Sequence, residues 1–466
     1  MPTPQDPPAK NFVEKGSIYP IPETARFGTS RDLFTIWFGG NLMILTISTG
    51  ALTTGVFHLS LPVALLTLVL GNLIGGLFMA LHAAQGPILG VPQMVQARGQ
   101  FGTVGAAIIT LLLIFMYVGF TASNIILGGE TFNFIVPTLN RSTSLLIVAF
   151  FCLLPALGGY YCLHLAGKLS TFLGITALTT CIILLVKDPE IYKIIVNGSP
   201  HSTNSLSNVV GAFSIIALWQ IAFAPYVSDY SRYLPATKQG VKNAFWATYG
   251  GSCLGAFFPM TIGMLLGFEA NSAGALVGSL YAHLSSSSTL AATLVLCSLI
   301  LGMAGPTAMN IYCGALAALS IFQTFFSSYN FGRRSRLLTT LALFILACWC
   351  VFFMTNDFLH RYIDFLDILM MIMIPWTAIN LVDYYLIHHA KYDVNAFFKK
   401  DGGIYGRINK TAFLCFFLSL ILQFPFLVTP AYVGPIACHL HSVDISWLIG
   451  LGTTSTLYYI VSKKIR

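Results

Sequence analysis

The stretch Ala222-Phe-Ala-Pro-Tyr-Val-Ser-Asp-Tyr-Ser-Arg-Tyr-Leu-Pro235 decides how this chain folds, because it continues an apolar run, 209–224, that is typical of a membrane helix. Pro225 removes a backbone donor, so the helix must bend or break there. Asp229 and Arg232 then place a carboxylate and a guanidinium at or near membrane depth. Broken backbone is tolerated inside a bilayer only where protein or a water-filled cavity satisfies it. The stretch therefore predicts a discontinuous membrane helix beside a cavity, as carriers have at their substrate sites.

The composition indicates a polytopic membrane protein. Charged residues make up 9% of the 466 residues, against about 25% in soluble domains, and the mean hydropathy is +0.77. Residues 1–31 are polar, so we expect no cleavable signal peptide and a first apolar run that stays in the membrane. The ten cysteines occur singly and no Cys/His spacing typical of a metal site is present, so we expect neither a metal nor a cofactor.

The apolar stretches predict an all-α fold with twelve transmembrane helices. Each stretch has about the 17–25 residues that a spanning helix needs. The predicted spans are 32–56, 61–83, 104–128, 143–163, 170–187, 209–228, 244–268, 290–322, 337–355, 363–387, 411–429 and 443–462.

The basic residues predict the orientation. If the spans alternate from a cytoplasmic N-terminus, 20 of the 24 Lys and Arg residues lie on the inner side. Both termini are then cytoplasmic, and we expect a multi-pass protein of the plasma (inner) membrane. This asymmetry accounts for the net charge of +8 without a nucleic-acid partner, since no basic stripe interleaved with aromatic residues is present.

The first and the sixth predicted spans each contain an interruption. The first contains Phe38-Gly-Gly-Asn41, followed by several small polar residues, and the sixth contains Pro225. Interruptions at equivalent places predict two halves of five helices related by an inverted repeat. The alternative is that glycine and serine serve close helix packing there.

Four segments resemble signatures of the nucleobase–cation symporter family, also called the purine–cytosine permeases. They follow one another in the order of that family: Gly86-Pro-Ile-Leu-Gly-Val-Pro-Gln-Met-Val-Gln-Ala-Arg-Gly-Gln-Phe-Gly102, Ala224-Pro-Tyr-Val-Ser-Asp-Tyr-Ser-Arg-Tyr-Leu-Pro235, Asn310-Ile-Tyr-Cys313 and Ile374-Pro-Trp-Thr-Ala-Ile-Asn-Leu-Val-Asp-Tyr-Tyr385. The resemblance implies a core of ten helices in a 5+5 inverted repeat, with discontinuous helices one and six, plus two peripheral helices. We accordingly expect a cytoplasmic tail (1–31), a transport core (32–388), a cytoplasmic loop (389–410) and a peripheral pair with the C-terminus (411–466).

The resemblance implies an aromatic clamp for the substrate. A planar heterocycle is held well by flat apolar rings on its faces, and family members supply one ring from helix three and one from helix six. Phe120 falls where the family usually has tryptophan. On helix six the matching aromatic is Phe223, with Trp219 one turn earlier as the alternative.

Amide side chains are predicted at the edges of the substrate, because they both donate and accept hydrogen bonds. Asn124 lies four residues after Phe120, so the two share a helix face. Asn310 matches a substrate amide of the family. Asn41 is expected either to contact substrate or to satisfy the broken backbone of the first helix.

The coupling ion is predicted to be a proton rather than Na⁺. Sodium-coupled members use hydroxyl groups of helix eight, where this chain has Ala304 and Gly305, although Thr307 lies close by. Glu130 is the coupling candidate, as the acidic residue most embedded in apolar sequence. Asp364 and Asp367 remain alternatives, and no single proton carrier is singled out. Asp229 and Arg232 are predicted to be a structural pair beside the Pro225 break.

The sequence thus predicts a secondary transporter that imports a cytosine- or purine-type nucleobase by alternating access and functions as a monomer. A carrier of hydantoin, allantoin or a pyrimidine vitamin precursor is the alternative within the class. A channel or a membrane-embedded enzyme is disfavoured, since no ring of polar groups and no catalytic cluster is seen at membrane depth.

Overall fold

A computed structural model describes residues 18–198, 202–269, 273–326, 329, 331–354, 358–429 and 432–465. Most of this part is α-helical. The helices are α1 (Ser30–Gly39), α2 (Ile44–Gly55), α3 (Leu61–Ala83), α4 (Gly86–Leu89), α5 (Gln93–Phe101), α6 (Thr103–Ile135), α7 (Arg141–Gly158), α8 (Tyr160–Lys187), α9 (Pro189–Asn197), α10 (Leu206–Ile221), α11 (Val227–Ser231), α12 (Lys238–Leu266), α13 (Ala273–Ser287), α14 (Thr289–Phe325), α15 (Arg333–Met354), α16 (Phe358–Leu381), α17 (Lys410–Gln423), α18 (Pro435–His439) and α19 (Ser446–Ile465).

Short elements complete the chain. Strands β1 (Val428–Thr429) and β2 (Tyr432–Val433) pair antiparallel before α18. A π-helical turn, Val382–Ile387, extends α16. Single 3-10 turns lie at Glu23–Ala25, Ala224–Tyr226, Gly267–Glu269, Val394–Phe398, Gly403–Tyr405 and Phe424–Phe426.

The described helices support a polytopic membrane protein. Nine are long and apolar enough to span a bilayer, and α1 with α2 forms a tenth candidate whose two parts are bent by 57°. The segment Lys410–Phe426 is a shorter apolar helix in the part of the chain described. Large apolar side chains such as Leu66, Leu111 and Phe172 face outward, as a lipid-exposed surface requires.

The predicted boundaries agree closely for α3 and depart most at the start of α8. The second predicted span, 61–83, coincides with α3. The fifth was predicted to begin at residue 170, but α8 already begins at Tyr160, directly after Gly159 at φ +82°. Lys168 therefore lies inside a helix and not in a connecting segment. Hydropathy marks only the apolar part of a helix, whereas the glycine marks where the backbone turns.

The helices pack in two groups. One contains α3, which packs against α10 and α12, together with α1 and α2, which pack against α12. The other is centred on α14, which packs against α6, α7, α8 and α15. Outside them, α16 packs with α17 and α19.

Glycines bring α2 and α12 into backbone contact. A Cβ atom at Gly50 would overlap the backbone of Met260, and one at Gly263 would overlap the backbone oxygen of Ile47. Small residues allow such close approach between membrane helices. The position of the first helix against α12 therefore depends on these two glycines.

We expect Gly263→Ala to lower the thermal unfolding temperature of the detergent-solubilised protein, because the added methyl must push α2 away, at a cost of about 1–3 kcal/mol. Gly452→Ala in α19 is the matched control, since nothing lies within 4 Å of a Cβ at that position. Equal unfolding temperatures for the two variants would contradict the contact.

Candidate functional site

A small cavity lies where the two helix groups meet, at the interruptions of the first and sixth helices. The free space within it, part of which is open to solvent, amounts to about 240 Å³. Its walls come from the α1–α2 connection, α6, the α10–α11 region and α14. The lining residues are Met43, Leu45, Phe120, Asn124, Trp219, Ala222, Phe223, Tyr226 and Asn310.

The first helix is interrupted just before the cavity. Its first part, α1, begins with a capping box in which Thr29 and Asp32 bond each other's backbone. It ends at Gly39, and Met43 in extended conformation precedes α2. The amide nitrogen of Asn41 donates to the backbone oxygen of Trp37 at 2.7 Å, which satisfies a carbonyl at the end of α1.

The sixth helix is interrupted as the sequence predicts. The helix α10 ends at Ile221, Pro225 lies in a 3-10 turn, and α11 begins at Val227. The hydroxyl of Tyr117 on α6 donates to the backbone oxygen of Pro225 at 3.1 Å. A side chain from a neighbouring helix thus bonds backbone inside the break.

Aromatic rings form much of the cavity wall. The rings of Phe120 and Trp219 are 6.0 Å apart at an interplanar angle of 86°. Phe223 meets Trp219 edge to face at 5.8 Å and Tyr226 at 5.6 Å. All four rings are buried. Such a wall offers flat apolar surface to a planar ligand.

Two amides bring unpaired polar atoms to this apolar cavity. Asn124 is fully buried, and neither its side-chain oxygen nor its nitrogen has a hydrogen-bond partner among the described residues. The side-chain oxygen of Asn310 also has none there, while its nitrogen donates to the backbone oxygen of Pro306 at 3.3 Å. A buried polar atom without a partner costs about 1–3 kcal/mol. The cavity therefore favours a ligand that both donates and accepts hydrogen bonds.

A chain of buried polar side chains lies behind Trp219. The indole nitrogen of Trp219 donates to the side-chain oxygen of Asn41 at 2.7 Å, and Asn41 donates to the hydroxyl of Ser252 at 3.2 Å. Ser252 in turn donates to the oxygen of Gln220 at 2.5 Å. Gln220 donates to the oxygen of Asn72 at 2.7 Å. The chain joins the α1–α2 connection to α3, α10 and α12 and fixes the indole ring.

The cavity contains five of the six predicted substrate residues, and their role stays a prediction. Asn41 is the exception, since it contacts the back of Trp219 and is not among the described lining residues. Sequence reasoning missed four other lining residues. Tyr226 could have been recognised because it follows Phe223 by three positions in the sixth helix. Met43 could have been recognised from the break in the first helix. The sequence carries no signal that would mark Leu45 or Ala222 as lining residues.

Asp229 and Arg232 lie at the end of the sixth helix. A carboxylate oxygen of Asp229 accepts the backbone N–H of Gln93 at 2.8 Å. The guanidinium of Arg232 donates to the backbone oxygen of Asp229 at 3.2 Å and stacks on Tyr233 at 5.2 Å. Both residues are buried, and these contacts join α11 to the start of α5.

The predicted coupling residues lie apart from the cavity. Glu130, on the last part of α6, forms an ion pair with Arg141 at the start of α7. On α14, the hydroxyl of Thr307 donates to the backbone oxygen of Met303 at 2.7 Å. A Cβ at Gly305 would lie 2.7 Å from the hydroxyl of Ser170 on α8, so these two helices pack closely there.

Comparisons with known proteins agree with this architecture. A family model of permeases for cytosine/purines, uracil, thiamine and allantoin matches residues 20–450. A candidate purine-cytosine permease of Bacillus subtilis (strain 168), YxlA, is 34% identical over 97% of this chain and 96% of its own length. The purine-cytosine permease FCY22 of Saccharomyces cerevisiae is 27% identical over 56% of this chain and 49% of its own length.

A solved structure shares the fold. The nucleobase-cation-symport-1 family transporter Mhp1, in a closed conformation with bromovinylhydantoin bound, superimposes with a TM-score of 0.77. The match covers 97% of this chain and 96% of Mhp1 at 15% identity. The chain therefore belongs to the family of permeases for cytosine/purines, uracil, thiamine and allantoin, and it is a multi-pass membrane transporter of the nucleobase type and not an enzyme.

Proposed function

We propose that this permease imports a cytosine- or purine-type nucleobase across the plasma (inner) membrane by proton symport. The observation that carries the proposal is the pair of incompletely paired amides, Asn124 and Asn310, in a cavity walled by aromatic rings. A nucleobase offers planar faces to the rings and both donors and acceptors to the amides. The names of its relatives support the same substrate class.

The proposed architecture has twelve spans, with ten core helices in a 5+5 inverted repeat and two peripheral helices, α17 and α19. The interruptions of the first and sixth helices support this assignment. Alternating access would occur by rocking of the group that contains α1, α2, α3, α10 and α12 against the group around α14. Both termini lie in the cytoplasm, as the distribution of Lys and Arg supports, and the monomer is the functional unit.

In this mechanism, Phe120 on α6 and Phe223 or Trp219 on the sixth helix hold the faces of the base. The amides of Asn124 and Asn310 bond its edge. Asn41 contributes by holding the indole of Trp219. Closing the cavity around the base excludes water and strengthens each of these hydrogen bonds.

A carrier of hydantoin, allantoin or a pyrimidine vitamin precursor is the second candidate. It is favoured by the hydantoin bound in Mhp1 and by thiamine and allantoin in the description of the family. These compounds also combine a polar ring with several donors and acceptors. The walls of the cavity suit both nucleobases and these compounds, so a ligand screen is needed to distinguish the two candidate functions.

The test is a thermal-shift screen of purified protein against nucleobases, hydantoins, allantoin and pyrimidine vitamins. A ligand at 100 times its Kd stabilises the protein by about 2.7 kcal/mol. We expect a nucleobase to stabilise the wild type and to leave Asn310→Ala unshifted, since that variant loses hydrogen bonds to the edge of the base. Asn243→Ala, at the exposed start of α12, is the matched control and should respond like the wild type. Normal binding by Asn310→Ala would contradict the proposed site.

For the clamp, we expect Phe120→Leu to weaken binding several-fold and Phe120→Trp to preserve it. Leucine keeps apolar area but loses the flat face, and an aromatic pair contributes about 0.5–1.5 kcal/mol beyond area burial. Kd values from ligand titrations measure the effect. Wild-type affinity in Phe120→Leu would show that this ring does not contact the ligand.

For the coupling ion, we expect uptake in proteoliposomes to persist when choline replaces Na⁺, to rise as external pH falls and to collapse with a protonophore. The absence of side-chain oxygen at Ala304 and Gly305 is the reason, because Na⁺ needs several oxygen ligands. If Glu130 carries the proton, Glu130→Gln should retain substrate exchange but lose accumulation. A sodium requirement for binding would refute proton coupling.

A further inference from the structure

A histidine lies between two carboxylates at the far ends of two membrane helices. The Nε2 atom of His283 is 3.0 Å from Oε2 of Glu269, and its Nδ1 atom is 3.2 Å from Oδ2 of Asp188. The side chain of His283 is 10% exposed and that of Asp188 is 5% exposed. Two hydroxyls complete the cluster, since Ser279 donates to Glu269 at 2.7 Å and Ser286 donates to Asp188 at 3.2 Å.

This arrangement favours the protonated histidine. A neutral imidazole has one N–H, so it can donate to only one carboxylate and turns a lone pair toward the other. The imidazolium has two N–H groups, and each can form a charge-assisted hydrogen bond. Burial alone would lower the pKa of His283, but the hydrogen bonds and charges of Glu269 and Asp188 raise it overall.

The charges around the histidine come from few elements. The helix α13, which carries His283, packs against α6, α8, α14 and the 3-10 turn Gly267–Glu269, with further contacts to α2 and α12. In the sequence, α14 and α2 contain no charged residue, and the lysines of α12 lie at its opposite end. The charged residues on the other neighbours are Glu130, which pairs with Arg141, and two lysines of α8, the exposed Lys187 at its end and Lys168 in its first half.

The three partners belong to different parts of the fold. Glu269 ends the turn after α12, in the group that contains the first and sixth helices. Asp188 follows α8, in the group around α14, and its Oδ1 atom also caps α9. His283 on α13 therefore connects the two groups, on the face that the proposed topology places outside. The ring separates the two carboxylates, and the described residues hold no group of three side chains arranged for a metal ion.

We propose that His283 is a proton-binding latch that joins the two helix groups on this face when protonated and releases them when it loses its proton. The latch is formed below the raised pKa of the histidine and is lost as pH rises through it. Its effect on transport rests on the proposed function, in which this face opens to the outside. External pH then controls how readily the outer side opens.

The test is hydrogen–deuterium exchange of the α13 amides in the substrate-free full-length protein, at about pH 6 and about pH 8.5, on either side of the range in which histidine titrates. Protection is corrected for the intrinsic exchange rate at each pH. We expect protection of α13 in the wild type to fall roughly tenfold or more at the higher pH, as loss of a charge-assisted hydrogen bond implies. His283→Gln should show the same low protection at both values.

Two further variants and a control sharpen the result. His283→Arg keeps a permanent charge and should protect α13 at both pH values. Asp188→Asn retains an acceptor for the cap of α9 but loses the charge, so protection at the lower pH should fall. His441→Gln, at an exposed histidine before α19, should behave like the wild type.

A wild type without pH dependence, or a His283→Gln variant with wild-type pH dependence, would overturn the latch. The measurement is independent of the substrate. Loss of the pH effect in a protein that still binds a nucleobase would refute the latch alone. A pH-dependent α13 in a protein that binds no heterocycle would refute the proposed function alone.

Discussion

Backbone that leaves a helix inside a membrane must find hydrogen-bond partners within the protein, and the centre of this fold follows from that requirement. Both interrupted helices obtain partners from side chains that lie directly behind the cavity wall, where Asn41 bonds Trp219 and Tyr117 packs on Tyr226. Asn41 bonds the end of α1 and holds the indole of Trp219, while Tyr117 bonds the backbone at Pro225. The features that satisfy the breaks are therefore the same features that fix the wall of the candidate site.

Among the described residues, the candidate site has two sets of buried polar side chains, one hydrogen-bonded throughout and one with unpaired atoms. The chain from Trp219 through Asn41, Ser252 and Gln220 to Asn72 is bonded at each step and makes its part of the wall rigid. Asn124 has no partner among the described residues. Rigid rings beside such an amide would form a preorganised site, because the hydrogen bonds of a ligand to Asn124 would replace none within the described residues.

The cavity lies between the two helix groups, which also pack against each other where α1 meets α8. Within each group, packing is close, as Gly50 and Gly263 show for α2 and α12. Between the groups, the aromatic rings of Phe120 and Trp219 touch at the cavity, and the cluster around His283 bridges them near one surface. Movement of the two groups as separate bodies, as the proposed mechanism requires, would have to change the packing of α1 on α8 as well as these contacts.

The sequence by itself determined the properties that depend on neighbours along the chain. Low charge and long apolar runs predict membrane helices, Pro225 predicts a break, and the four-residue spacing of Phe120 and Asn124 puts both on one face of α6. Only the tertiary structure decided which distant groups meet. Trp219 bonds Asn41 across 178 residues, and His283 lies between residues of two other elements. Such pairings depend on how each helix is rotated and packed, and since one polar side chain can bond many others, local sequence cannot select its partner.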